Sequence, residues 1–150
     1  MRLVIQRVTE SACVIDSIKK SSINNGLLIL VGIEPNDSID DVEWLAGKVA
    51  RIRLFDDENG IMNRSVVEAM GEIMIISQFT LFASTKKGNR PSYIRAARPE
   101  IAVPLYEHFV NRVKDLTHVK VETGVFGAKM DISLTNDGPV TIIMDSVWKE

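Results

Sequence analysis

Apolar and polar residues alternate from Leu3 to Val14, the period of a half-buried strand. Gly26 to Ile33 is instead an unbroken apolar run, which predicts a central strand covered on both faces, entered by the turn Asn24-Asn25-Gly26. The period then changes. Ile39, Val42, Leu45, Ala46 and Val49 fall on one face of a helix that Asp37 or Ser38 can cap. Ile52 to Phe55 predicts a short strand closed by the turn Asp56-Asp57-Glu58-Asn59-Gly60. Glu72 to Phe82 predicts a second buried strand and its polar end. Leu105, Phe109, Val110 and Val113 form another helical stripe. Pro99 and Pro104 bracket its start, and because proline fits only a first turn the regular helix is expected to begin near Val103. Val119 to Thr123, Met130 to Thr135 and Val140 to Val147 alternate as further strands. Two main helices among about seven strands predict an α+β domain, a curved, barrel-like sheet core flanked by the helices.

The 150 residues suit one domain spanning 1–150, with no repeat or linker to divide it. The longest apolar run, Leu27 to Ile33, is far short of a membrane helix, so no membrane partner is expected. Met1-Arg2-Leu3 leads straight into a strand pattern without a leader, and Cys13 has no second cysteine to pair with. Both point to a cytoplasmic protein, with Cys13 as a small core residue. A net charge of −2 argues against holding nucleic acid by bulk electrostatics, and DNA is not expected as a partner. The distribution changes that picture locally. From Ala83 to Pro99 there are five bases, Lys86, Lys87, Arg90, Arg95 and Arg98, and no acid.

Two segments resist a purely structural reading. Asn136-Asp137-Gly138-Pro139-Val140-Thr141 sets a residue without Cβ beside one without N–H, which leaves bare carbonyls at a rigid bend. Ser77-Gln78-Phe79-Thr80-Leu81 places polar residues at the end of the apolar run Ile73-Met74-Ile75-Ile76, where they are costly unless they serve a pocket. Together they resemble the paired signatures of D-aminoacyl-tRNA deacylases, Ser-Gln-x-x-Thr and Asn-x-Gly-Pro-x-Thr. Gln6-Arg7-Val8, Gly88-Asn89-Arg90-Pro91-Ser92-Tyr93 and Gly124-Val125-Phe126-Gly127-Ala128-Lys129-Met130 extend the resemblance over nearly the whole chain.

The resemblance implies a hydrolase of D-aminoacyl-tRNA, acting as a homodimer on tRNA. It implies that a cis Gly138-Pro139 reaches into the partner's pocket, with Arg7 orienting that loop. The residues themselves offer no triad, no metal-ligand spacing and no nucleotide-binding motif, so neither metal nor cofactor is expected. His108 and His118 lie away from the motif hydroxyls. An aminoacyl ester is already activated, so orienting water and holding an oxyanion suffice. Ser77, Gln78 and Thr80 are the catalytic candidates, Gln78 and Thr80 orienting substrate or water while backbone N–H groups around Phe79 hold the charge; Thr80 orients rather than attacks because no base accompanies it. Phe79 is a candidate to stack on the terminal adenine, with plain core packing as the alternative. Asn136, Gly138 and Pro139 are candidates for reading chirality by excluding the L side chain, a device that leaves glycyl-tRNA cleavable. Lys86, Lys87 and Arg90 are the candidates for contact with tRNA. Trp44 is read as a helix-packing residue and Trp148 as a C-terminal anchor. A non-catalytic RNA-binding module of the same fold is the rival reading, which the paired pocket motifs disfavour. A synthetase editing domain is a third, against which the expectation is a free-standing chain.

Overall fold

A computed structural model describes residues 1–149. Strand β1 (Arg2–Ile15) is the spine of the sheet. Along its first half it pairs with β3 (Gly26–Gly32), and along its second with β2 (Ile18–Ile23), both antiparallel. On its other side it carries β8 (Asp131–Asp145) for almost its whole length. β3 runs parallel to β6 (Glu72–Ser77), and β6 parallel to β7 (Val121–Thr123). The open side is bridged by Ser21 Oγ donating to Thr123 O at 2.8 Å and Lys120 Nζ donating to Ser22 O at 2.9 Å, so the sheet nearly closes into a barrel. A separate two-stranded piece joins β4 (Phe55–Asp56) to β5 (Met62–Arg64). The expected α+β architecture is what forms.

The alternation of β1 is not one stripe but two. Leu3 and Ile5 face the layer under the helices, whereas Val8 and Cys13 face the barrel interior with Leu28, Met74 and Ile76. The ladder with β8 slips on both sides of Val8, and that slip transfers the buried side from one face to the other. Helix α1 (Ile39–Arg51) starts with Ser38 and Asp41 in a reciprocal capping box. Asp37, the alternative cap, instead binds the Met1 ammonium, and the Met1 side chain is buried. Helix α2 (Pro99–Thr117) packs beside α1, with Arg112 Nε donating to Glu43 at 2.7 Å and His108 at 3.1 Å from the same carboxylate.

Five expectations need correction. Helix α2 begins at Pro99, not near Val103. The N–H groups of Ile101 and Ala102 already bond to Arg98 O, so Pro104 merely removes one bond on an exposed face. Ile52 to Phe55 is not a strand; Ile52 terminates α1 and the ladder starts only at Phe55. The last two strands are one continuous element, and β2 forms where none was expected. Trp148 anchors nothing, being 71% exposed. Trp44 does pack against the core as expected, and Cys13 is buried in it.

Candidate functional site

β6 ends in polar residues because its neighbour β3 ends there too. Ser77 pairs with Val31, and the Gln78 N–H donates to Val31 O at 2.7 Å as the last bond of the ladder. Beyond it the chain tightens into a 3-10 turn, Phe79–Phe82, with Phe82 buried and Phe79 left 56% exposed. Phe79 is therefore not core packing. The first N–H groups of such a turn have no acceptor within it. Neither the Phe79 nor the Thr80 N–H donates to another protein group among the described residues.

Ser77, Gln78 and Phe79 line a cavity of about 510 Å³. Its inner wall is apolar, built from Ile76, Phe126 and Met130, and its far rim is Arg98 and Pro99 at the start of α2. Tyr93 closes over the mouth, edge to face with Phe79 at 5.0 Å between ring centroids. Phe126 is held from behind by Tyr106, whose hydroxyl donates to Ile75 O at 2.8 Å. Burial pushes the Tyr106 phenol well above its ordinary pKa, so it stays neutral behind the wall.

Thr80 is not among the residues around the cavity; the Gln78 amide donates to its hydroxyl. No histidine or carboxylate contacts it among the described residues, and an amide is no base. The hydroxyl thus fixes the Gln78 side chain at the cavity edge.

Lys86, Lys87 and Arg90 lie exposed on a loop pinched at its base by reciprocal Ser84–Ser92 backbone bonds of 2.8 and 2.9 Å. That pinch delivers Tyr93 onto Phe79. Of the other two bases, Arg95 is held by Glu34 at 2.7 Å, while Arg98 faces the cavity. Tyr93 and Phe126 border the cavity without having been singled out in the sequence, and Arg98, read there only as part of the basic run, borders it too. Tyr93 and Phe126 sat inside segments that already carried the resemblance.

The second motif folds elsewhere on the chain. Gln6 pairs with Thr141 and Val8 with Asn136, so the residues from Asp137 to Val140 bulge out opposite Arg7 alone. Asn136 closes the neck of this loop. Its Oδ1 accepts from Val140 N–H at 2.9 Å and its Nδ2 donates to Val140 O at 3.2 Å, replacing the missing ladder. Arg7, 6% exposed, props the loop from below. Its Nε reaches Asp137 Oδ2 at 3.0 Å, while Nη1 donates to Leu54 O at 2.7 Å and to Asp56 Oδ1 at 3.1 Å. Gly138 and Pro139 are exposed at the tip, and the peptide between them is cis. Gly138 has φ +133°, and a Cβ there would lie 2.7 Å from Val140 Cγ2 and 2.9 Å from Val140 N. Only glycine fits. Neither Gly138 nor Pro139 lines the cavity of its own chain.

The family model described as D-Tyr-tRNA(Tyr) deacylase matches residues 4–145. A D-aminoacyl-tRNA deacylase of Parabacteroides distasonis is 59% identical over 150 residues, all of both chains. Another, from Flavobacterium johnsoniae, is 52% identical over the same span. Among solved structures, one described as c-Myc DNA Unwinding Element Binding Protein superposes with a TM-score of 0.91 at 34% identity, covering 97% of this chain and 98% of that one. A probable eukaryotic D-amino acid tRNA deacylase shares the fold, with a TM-score of 0.82 at 15% identity, covering 95% and 97%. This chain therefore belongs to the D-Tyr-tRNA(Tyr) deacylase family, hydrolases that release D-amino acids from tRNA.

Proposed function

We propose that the ester is cleaved at the rim of the 510 Å³ cavity, without a protein nucleophile, and that chirality is read by the Gly138–Pro139 loop of a second copy of the chain. The carrying observation is the division of labour between the two motifs. One forms a cavity rim without a chiral wall, and the other forms a rigid exposed tip without a cavity.

In this reading the apolar cavity holds the 3′-terminal adenosine, with Phe79 against the base. Gln78, fixed by Thr80, orients the ester or its water, and Ser77 offers a further hydroxyl beside it. The free N–H groups of Phe79 and Thr80 receive the negative charge that develops on the carbonyl oxygen. The 2′-hydroxyl of the ribose assists the attack, because no protein base adjoins the site. In the homodimer, the partner's Gly138 and Pro139 carbonyls face the substrate's α-amino group and Cα. An L side chain then runs into the loop, a D side chain points away, and glycine has nothing to exclude, so glycyl-tRNA is also cleaved. Lys86, Lys87 and Arg90 follow the tRNA backbone beyond the ester. This chemistry suits a cytoplasmic editing enzyme with neither metal nor cofactor.

Two measurements test it. Thr80→Ala removes the prop under Gln78 but no nucleophile, so deacylation of D-tyrosyl-tRNA slows by about ten- to a hundredfold and persists. Complete loss with the fold intact restores Thr80 as nucleophile. Sedimentation of the wild type should give a dimer; a monomer that still rejects L-tyrosyl-tRNA removes the partner's loop from the mechanism.

A further inference from the structure

A second concavity lies between the last turns of α1 and the end of β8, with a volume of about 420 Å³. Trp44, Lys48 and Arg51 follow one another on one helix face, the i, i+4, i+7 spacing, and Ile143 of β8 forms the facing edge. The tail then curls back. Asp145 accepts the N–H of Val147, and the Lys149 N–H donates to Asp145 O at 2.7 Å, which brings Lys149 to the same groove.

Three cations from two elements thus converge, and no acid among the described residues lines the groove. Arg2, Arg7, Arg64, Arg95, Arg112 and Lys120 each meet a carboxylate. Among the described residues, Lys48, Arg51 and Lys149 have no such partner. Lys48 Nζ lies 5.3 Å from the centre of the Trp44 ring. Arg51 folds back along Gly47, where a Cβ would lie 3.0 Å from its Nη2. The dipole of α1 accounts for bases in its last turn, but not for Lys149, which comes from another element, nor for the apolar edge supplied by Ile143.

We propose that this groove is a second tRNA contact, in which Lys48, Arg51 and Lys149 hold a backbone phosphate and Trp44 and Ile143 contact the adjoining sugar. A phosphodiester has the required chemistry, a localised negative charge flanked by apolar ribose surface. The net charge of −2 makes an isolated basic groove a local device rather than a general attraction for polyanions. The proposal rests on tRNA being the substrate, so its test reads binding and not catalysis.

The affinity of wild type and of the double variant Lys48→Gln, Arg51→Gln for labelled uncharged tRNA is measured between 50 and 200 mM salt. Glutamine keeps the helix and removes the charge. Binding should weaken by roughly tenfold and the salt slope should flatten by about one, the value for a single neutralised phosphate. Hydrolysis of D-tyrosyl-adenosine, which carries no phosphate, should keep its rate in the same variant. Unchanged affinity and slope overturn the proposal, whether or not the chain is an active deacylase. Should the double variant melt early, Lys149→Gln on the exposed tail provides the reading, a slope flatter by about one. No change there overturns the proposal too.

Discussion

Replacing Arg7 by lysine keeps the charge and removes the fork, and the fork is what ties the Gly138–Pro139 loop to the sheet. In the wild type one end of the guanidinium holds Asp137 in the loop, while the other holds Leu54 O and Asp56. A lysine ammonium is a point donor and serves only one side, keeping Leu54 O and Asp56 and losing Asp137. One charge-assisted contact worth about 1.5–3 kcal/mol is therefore lost. Asp137 and Asp56 are 41% and 49% exposed, so water screens these bonds and the lower end applies, about 1–2 kcal/mol. For a chain of this length that corresponds to a fall in Tm of roughly 3–6 °C. The loop's freedom should change selectivity more than stability. Urea melts give the first quantity, and the ratio of D- to L-tyrosyl-tRNA hydrolysis gives the second. Arg7→Lys should lower that ratio while leaving the D rate within a few fold. A variant that melts like the wild type and keeps its full D/L ratio refutes the role given to Arg7.

Gly138→Ala puts a Cβ against Val140 at a φ that L residues rarely adopt, a strain of about 1–3 kcal/mol that the exposed loop relieves by moving. L-tyrosyl-tRNA hydrolysis should then rise relative to D, read in parallel time courses, with little loss of Tm. Asp145 governs acid stability. Burial favours its neutral form, but the Arg2 guanidinium and the N–H groups of Val147 and Trp148 outweigh that and hold its carboxyl below the ordinary value. A depressed folded pKa contributes stability fully above the unfolded value of about 3.9, and loses it as pH falls through the folded one. Asp145→Asn should therefore be less stable at neutral pH and less steeply destabilised below about pH 4 in pH-dependent melts.

Local patterns carried the two helices, the central strands and both motifs, because each depends on neighbours in sequence. β2 was hidden because Lys19-Lys20-Ser21-Ser22 lacks apolar alternation; its partners on β1 and β7 supply what its own side chains do not. Pro104 misplaced the start of α2 because one missing bond on an exposed face is cheap beside the packing of Ala102 and Leu105. That the Gln78 amide bonds to the Thr80 hydroxyl depends on the 3-10 turn after β6, which the motif does not encode. Tyr93 reaches the cavity only through the Ser84–Ser92 pinch. Trp148 shows the reverse error, a large apolar residue assumed to be covered when nothing in the described chain covers it. The separation of the Gly138–Pro139 tip from the cavity is a long-range property, set by where β8 lies against β1.

In the proposed mechanism this chain hydrolyses D- but not L-aminoacyl-tRNA and needs no metal. Time courses on D-tyrosyl-, L-tyrosyl- and glycyl-tRNA with EDTA present separate the outcomes. Rapid loss of the D and glycyl esters, with the L ester decaying at its spontaneous rate, is the predicted result; cleavage of D and L esters alike would contradict it.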